Sequence, residues 1–330
     1  MSTLPAAPAP FLAQRLKRKH FFYHADAHIQ GDVLIATQLV VGGDLLVDGD
    51  LEAEEVFCLG KLTVTGNIHV QSLYVGQALD GGANIEVAYL LKTGCSAEWM
   101  ARMLELDQTN PKPDSNYLER LVHPAILQRD AHSQLPGGGG DIQALGYLAC
   151  DDLDAQGSVQ LDGALAAGEV LYIGGHLSAR NIEVEGDCNC QGEIFSETDI
   201  AVGGALFGAS LTGEGNLEAA SIHCGGDIAT WGSLRASGEI SSLNGEIDCG
   251  RWIATKGTLY AAKYIKAGEA VVAEQGITAG QDYGILAGTR LPRSRWEQAG
   301  FVSAAGKPRH ILSGKFVAEQ KRKHVDALEK

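Results

Sequence analysis

The side chains best suited to chemistry in this 330-residue chain recur in one slot. Eight carboxylates, Asp32, Asp44, Asp50, Asp187, Glu193, Asp227, Glu239 and Glu246, each directly follow a glycine. Carboxylates gathered on one face could serve general acid–base catalysis. A catalytic site is unique, however, and a slot refilled along the whole chain points to a structural rule. Three histidines, His69, His176 and His223, sit at outward strand positions where a base could line a groove. Cys188 and Cys190 resemble half of a metal site, yet they occupy slots filled elsewhere by aliphatic residues, as do Cys224 and Cys249. Core packing is therefore expected for them, since a metal site needs a second ligand pair and buried cysteine behaves as a small hydrophobe.

Motifs for other chemistries are missing. Gly306-Lys307 and Gly314-Lys315 lack the Ser/Thr and the preceding glycine of a phosphate-binding loop, and Gly213 and Gly215 do not complete GxGxxG. No histidine belongs to HExxH, and no GxSxG occurs. GGDL at Gly42 and GGDI at Gly225 are too brief for a calcium-binding nonapeptide. The expectation is a chain that is not an enzyme, with no catalytic residue, cofactor or metal.

The elements holding these residues come from a repeated phrase: glycine, a polar residue, an aliphatic residue, any residue, then a small or apolar one. It reads GDVLI from Gly31, GDLLV from Gly43, GKLTV from Gly60, GNIHV from Gly66, GDIAT from Gly226 and GEIDC from Gly245. Gly31 to Gly49 is 18 residues and Gly43 to Gly60 is 17, with a finer spacing of 6 inside each coil. A three-sided turn with one short strand per side accounts for both spacings, and a fixed period decides the fold. The chain is predicted to be an all-β, parallel, three-sided β-solenoid of about 18 residues per turn, right-handed and roughly eleven turns long. Alternation sends Val33 and Ile35, Leu45 and Val47, Leu62 and Val64, and Ile68 and Val70 inward.

Five segments follow. Residues 1–28 form a basic N-terminal segment, read as a short capping helix or tail. Residues 29–91 are the first solenoid block. Residues 92–140 break the pattern with an inserted α-helical hairpin: SAEWMARMLELD from Ser96, then a second helix carrying Tyr117 and Leu121, then a glycine-rich return. Residues 141–289 are the second block, continuing the same stack. Residues 290–330 form a basic C-terminal cap with a helix from Gly314.

Charge divides in the same way. Residues 1–20 hold 4 basic and no acidic residues, residues 290–330 hold 10 basic and 4 acidic, and the body between holds 12 basic and 37 acidic. An acidic body repels phosphate, so nucleic acid is not expected as a partner, whereas a basic protein or a second copy of the chain is. Membrane contact through residues 11–22 would need their basic and apolar residues on one helix. Seven cysteines without paired spacing, no bilayer-length apolar run and no signal-peptide core place the chain in the cytoplasm. Partner binding is expected where the phrase fails, at Trp99, Met103, Tyr117, Leu121, Arg293, Arg295 and Trp296.

The phrases GDVLI, GDLLV, GKLTV, GNIHV, GDIAT and GEIDC resemble the bactofilin family of polymer-forming bacterial cytoskeletal proteins. The resemblance implies a right-handed, three-sided β-solenoid without catalytic residues, acting as a protein-interaction scaffold. An immunity-type acidic binder that neutralises a basic toxin such as a nuclease is a second expectation. A third is an acyltransferase resembling the hexapeptide-repeat enzymes, which also wind 18-residue triangular turns and use a histidine base.

Overall fold

The computed structural model describes residues 9–106 and 140–318. The chain is an all-β parallel solenoid that divides into two compact units. The first comprises residues 1–168 with 172–175, and the second comprises residues 169–171 with 176–330.

In the first unit one face stacks seven parallel strands: Phe11–Ala13, Ala27–Ile29, Leu45–Val47, Leu62–Val64, Leu79–Gly81, Ile142–Ala144 and Val159–Leu161. The other two faces of each turn come from segments such as Leu51–Ala53 and Val56–Cys58, which pair with Ile68–Val70 and Leu73–Val75. Pairing is like on like: Leu45 pairs with Leu62, which pairs with Leu79, and Leu51 pairs with Ile68, which pairs with Ile85. Residues one turn apart are spaced about 4.8 Å, so each aliphatic side chain rests on its own counterpart and fills the coil at every level. All the inward positions named from alternation are buried, Val47 and Leu62 completely. Each such leucine or isoleucine contributes about 1.5–3 kcal/mol.

The second unit repeats this with eight strands on the corresponding face, from Leu177–Ala179 to Ile311–Ser313. Its columns are again uniform: Ile228, Ile247, Ile265 and Ile285 stack in register, each fully buried.

The solenoid is longer at both ends than the eleven turns predicted. Residues 11–23 do not form a helix: Phe11–Ala13, Leu16–Arg18 and Phe21–Tyr23 are strands, registered on Ala27–Ile29, Val33–Ile35 and Leu39–Val41. Leu16 and Phe21 point inward and Lys17 and Phe22 outward, the period of a strand. The turn escaped the sequence pattern because Gln14 and Ala25 stand where the next turn carries Gly31 and Gly43. At the other end the repeat does not stop at residue 289. Phe301–Ser303 pairs with Val271–Ala273, and Lys315–Phe316 pairs with Phe301–Val302, so the helix expected from Gly314 begins as a strand. The rest of that helix lies outside the described residues.

The 92–140 insertion leaves the coil without disturbing it. Leu79–Gly81 pairs directly with Ile142–Ala144, and Ile85 with Leu148, as consecutive turns would. The buried Thr93 hydroxyl donates to the Gly140 carbonyl at 2.5 Å, joining the points of departure and return. Both neighbouring glycines, Gly94 and Gly140, are left-handed (φ 72° and 99°), a conformation that lets the chain turn away and back. One helix, Ala97–Leu106, follows the departure, and Ser96 caps it by accepting the Trp99 N–H at 3.1 Å. The second helix of the expected hairpin falls outside the described residues. Among the described residues no helix is long and apolar enough to cross a membrane.

Candidate functional site

Five of the eight repeated carboxylates, the aspartates Asp32, Asp44, Asp50, Asp187 and Asp227, accept a backbone N–H of the next turn, as do Asp26 and Asp199. Asp26 Oδ1 accepts the N–H of Asp44 at 2.9 Å, and Asp44 Oδ1 accepts that of Lys61 at 2.8 Å. Asp32 serves Asp50, and Asp50 serves Asn67 at 2.8 Å. In the second unit Asp187 accepts from Ala205 at 2.7 Å, Asp199 from Asn216 at 2.6 Å and Asp227 from Glu246 at 2.9 Å. Asparagine substitutes at some levels: Asn67 Oδ1 receives Asn84 N–H, and Asn216 Oδ1 receives Ser233 N–H at 3.0 Å. These side chains satisfy corner N–H groups that the strand ladders leave unpaired.

The same contacts explain the glycine that stands over each of these aspartates. A Cβ on Gly60 would overlap Asp44 Oδ1, and one on Gly43, Gly204 or Gly245 would overlap the carboxylate of Asp26, Asp187 or Asp227. Aspartate in one turn thus requires glycine in the next, and at Gly43 and Gly49 that glycine is followed by the next aspartate. The phrase is a chain of interlocked Asp–Gly contacts, a coupling that the sequence reading missed although its 17- or 18-residue offset was visible.

The three histidines also bond across one turn. His69 Nδ1 lies 2.8 Å from Glu86 Oε2, and the other oxygen of Glu86 accepts the Tyr147 hydroxyl. His176 Nδ1 accepts the Glu193 N–H at 3.0 Å. His223 Nδ1 lies 2.9 Å from Ser241 Oγ, and its ring stacks on Phe207 at 5.1 Å.

All seven cysteines are buried. Burial pushes the thiols of Cys58, Cys95, Cys150, Cys224 and Cys249 up to about 12 and that of Cys190 to about 11, with Cys188 raised further still. They fill core slots as expected, but some do more. Cys58 Sγ donates to the Gly43 carbonyl at 3.4 Å, and Cys249 Sγ donates to that of Gly232 at 3.1 Å. Ser196, Thr230, Ser242 and Thr255 make the equivalent bond, to Arg180, Gly215, Gly226 and Gly238. This corner slot selects a small donor, which is why cysteine, serine and threonine share it. Among the described residues no three His, Cys, Asp or Glu side chains gather to hold a metal ion.

The expected partner-binding residues do not converge. Trp99 packs on the solenoid's own outer face, its ring 5.5 Å from that of Tyr74 and 5.6 Å from Lys92 Nζ. Buried Met100 completes this cover over an apolar column of Val40, Phe57 and Tyr74. Met103 belongs to the same helix, and Tyr117 and Leu121 lie outside the described residues. Arg293 and Arg295 form an exposed 3-10 turn. Trp296 folds inward: its Nε1 donates to the Leu291 carbonyl at 3.3 Å, and its ring fills the space a Cβ on left-handed Gly288 would need. Arg293 lies over the Trp296 ring at 5.7 Å.

No protein-family model, curated protein or solved structure matches the chain.

Proposed function

We propose that the chain is a non-catalytic β-solenoid scaffold for protein interaction, of bactofilin-like type. The observation that supports this most is the commitment of the repeated acids to the backbone. An aspartate accepting a neighbouring turn's N–H has a structural task, and the histidines bond across turns in the same manner. A stack of this kind presents long faces of fixed side-chain spacing, which suits protein recognition. In this reading the 92–140 segment is a helical hairpin that uses Trp99 and Met100 to seat itself on the first unit and carries Tyr117 and Leu121 toward a partner. The C-terminal segment is a basic cap extending past Phe316, with Arg293 and Arg295 beside it.

Affinity capture tests the reading, comparing the intact chain with one whose residues 107–139 are replaced by a short Gly/Ser linker. A scaffold returns a defined protein partner, or assemblies of itself seen by light scattering and negative-stain microscopy, and the replacement weakens capture. A monomer that captures nothing at low salt sinks the proposal. So does calorimetric binding of acetyl-CoA with turnover.

A further inference from the structure

We propose that the first unit carries a docking groove for a peptide segment in polyproline-II form with an acidic and a basic side chain three residues apart. This rests on the scaffold reading and names the chemistry of one partner segment.

The groove, about 780 Å³ in volume, crosses successive turns of one face. Its first column of outward residues is set by register: Lys17 pairs with Leu34, Leu34 with Glu52, and Glu52 with His69. A second column runs beside it at the corner, where Lys19, Ala36 and Glu54 also line the groove. The backbone keeps the same turn spacing there, because Thr37 N–H donates to the Lys19 carbonyl and Glu54 N–H to the Thr37 carbonyl. Both columns read cation, apolar residue, carboxylate. Half-buried Leu34 and the small Ala36 stand between the charged ends.

Some charges on the solenoid pair with a neighbouring turn. Lys61 pairs with Asp80 at 3.2 Å, Arg235 with Glu218 at 3.7 Å and Lys266 with Asp248 at 2.5 Å, each one turn away. Among the described residues Lys17, Lys19, Glu52 and Glu54 have no such side-chain partner, and cation and carboxylate stand two turns apart. Elsewhere Lys263 reaches Asp227 across two turns at 4.0 Å, but no such pair forms here; two turns are about 9.6 Å between backbones. That distance matches a polyproline-II segment, in which three residues advance about 9.3 Å and return to the same side of the helix. A β-strand would send those two side chains to opposite faces. An anionic lipid surface fits less well, since Glu52 and Glu54 would face its phosphates.

The test is fluorescence anisotropy with two labelled peptides of one composition, Pro-Glu-Pro-Pro-Lys-Pro and Pro-Pro-Glu-Lys-Pro-Pro, at low salt. The spaced peptide is expected to bind at least about tenfold more tightly than the adjacent one. Lys17→Glu with Lys19→Glu should remove that binding. Adding Glu52→Lys and Glu54→Lys should restore it, since a polyproline-II backbone without directing hydrogen bonds can lie either way round. Equal affinity for both peptides, no binding at about millimolar protein, or indifference to the Lys17 and Lys19 changes would overturn the proposal. Co-sedimentation with phosphatidylserine vesicles in place of peptide binding would overturn it too. Partner capture by the Lys17→Glu/Lys19→Glu chain separates the two readings. If capture persists while neither peptide binds, the groove falls and the scaffold stands. If neither chain captures anything, the scaffold reading itself fails.

Discussion

The interlocked Asp–Gly contact makes a quantitative prediction at Asp44 and Gly60. Asp44→Ala removes the acceptor of the Lys61 N–H, bonded at 2.8 Å, and is expected to cost about 1–2 kcal/mol. Gly60→Ala introduces a Cβ that overlaps Asp44 Oδ1 and lies 2.7 Å from both Asp44 N and Gly43 C. The methyl group displaces the carboxylate and strains the stacked corner, so the loss should be about 2–4 kcal/mol, combining overpacking with the broken hydrogen bond. In the double variant the carboxylate is gone and only the backbone overlap remains. Its cost should be about 2–3 kcal/mol, well below the sum of the single changes. Urea unfolding followed by far-UV circular dichroism measures all four corners of this cycle. Costs that add to within about 0.5 kcal/mol would show that the two residues do not act on each other and refute the explanation of the phrase. A neutral Gly60→Ala would refute it as well.

Other expectations concern the core and the helix. At the corner slot Cys249→Ser should cost under about 1 kcal/mol because serine keeps the bond to the Gly232 carbonyl, whereas Cys188→Ser buries a hydroxyl in the core and should cost about 1–3 kcal/mol; thermal melts distinguish them. All seven thiols should resist Ellman's reagent in the folded chain and react together in denaturant. With thiols raised from 9.0 to about 12, the folded chain retains protons that the unfolded chain releases, so stability present below pH 9 falls as pH rises through that window. Urea midpoints at about pH 8 and about pH 10.5 should show a drop that shrinks when Cys58 and Cys249 are replaced by serine. Met100→Ala should destabilise the chain by about 2–4 kcal/mol, since Met100 is fully buried on Phe57 and Tyr74; a loss below about 0.5 kcal/mol would mean that the helix does not seal that face.

The inward columns were legible in the sequence because a strand's period of two and the glycine spacing give the same answer at each turn. Leu45, Val47, Leu62 and Val64 needed no tertiary information. The first turn was not legible, because Leu16, Lys17 and Phe21 suit a short amphipathic helix as readily as a strand. Their pairing with Val33, Leu34 and Leu39 decided the matter. The phosphate-loop and metalloprotease motifs could be tested directly as strings. The groove could not, since Lys17 and Glu52 are 35 residues apart in sequence and share a face only after two turns have wound between them.

Trp99 shows the remaining gap. Its helical spacing and Ser96 cap were readable, but its neighbours Tyr74 and Lys92 come from strands preceding the helix. By itself the sequence determined the period, the inward residues and the presence of an insertion, because these follow from local alternation and glycine placement. The tertiary structure decided the use of each outward residue, because hydrogen bonds and ion pairs between turns depend on which levels the winding brings together. The aspartates that looked like a catalytic cluster are, once stacked, the acceptors that join one turn to the next.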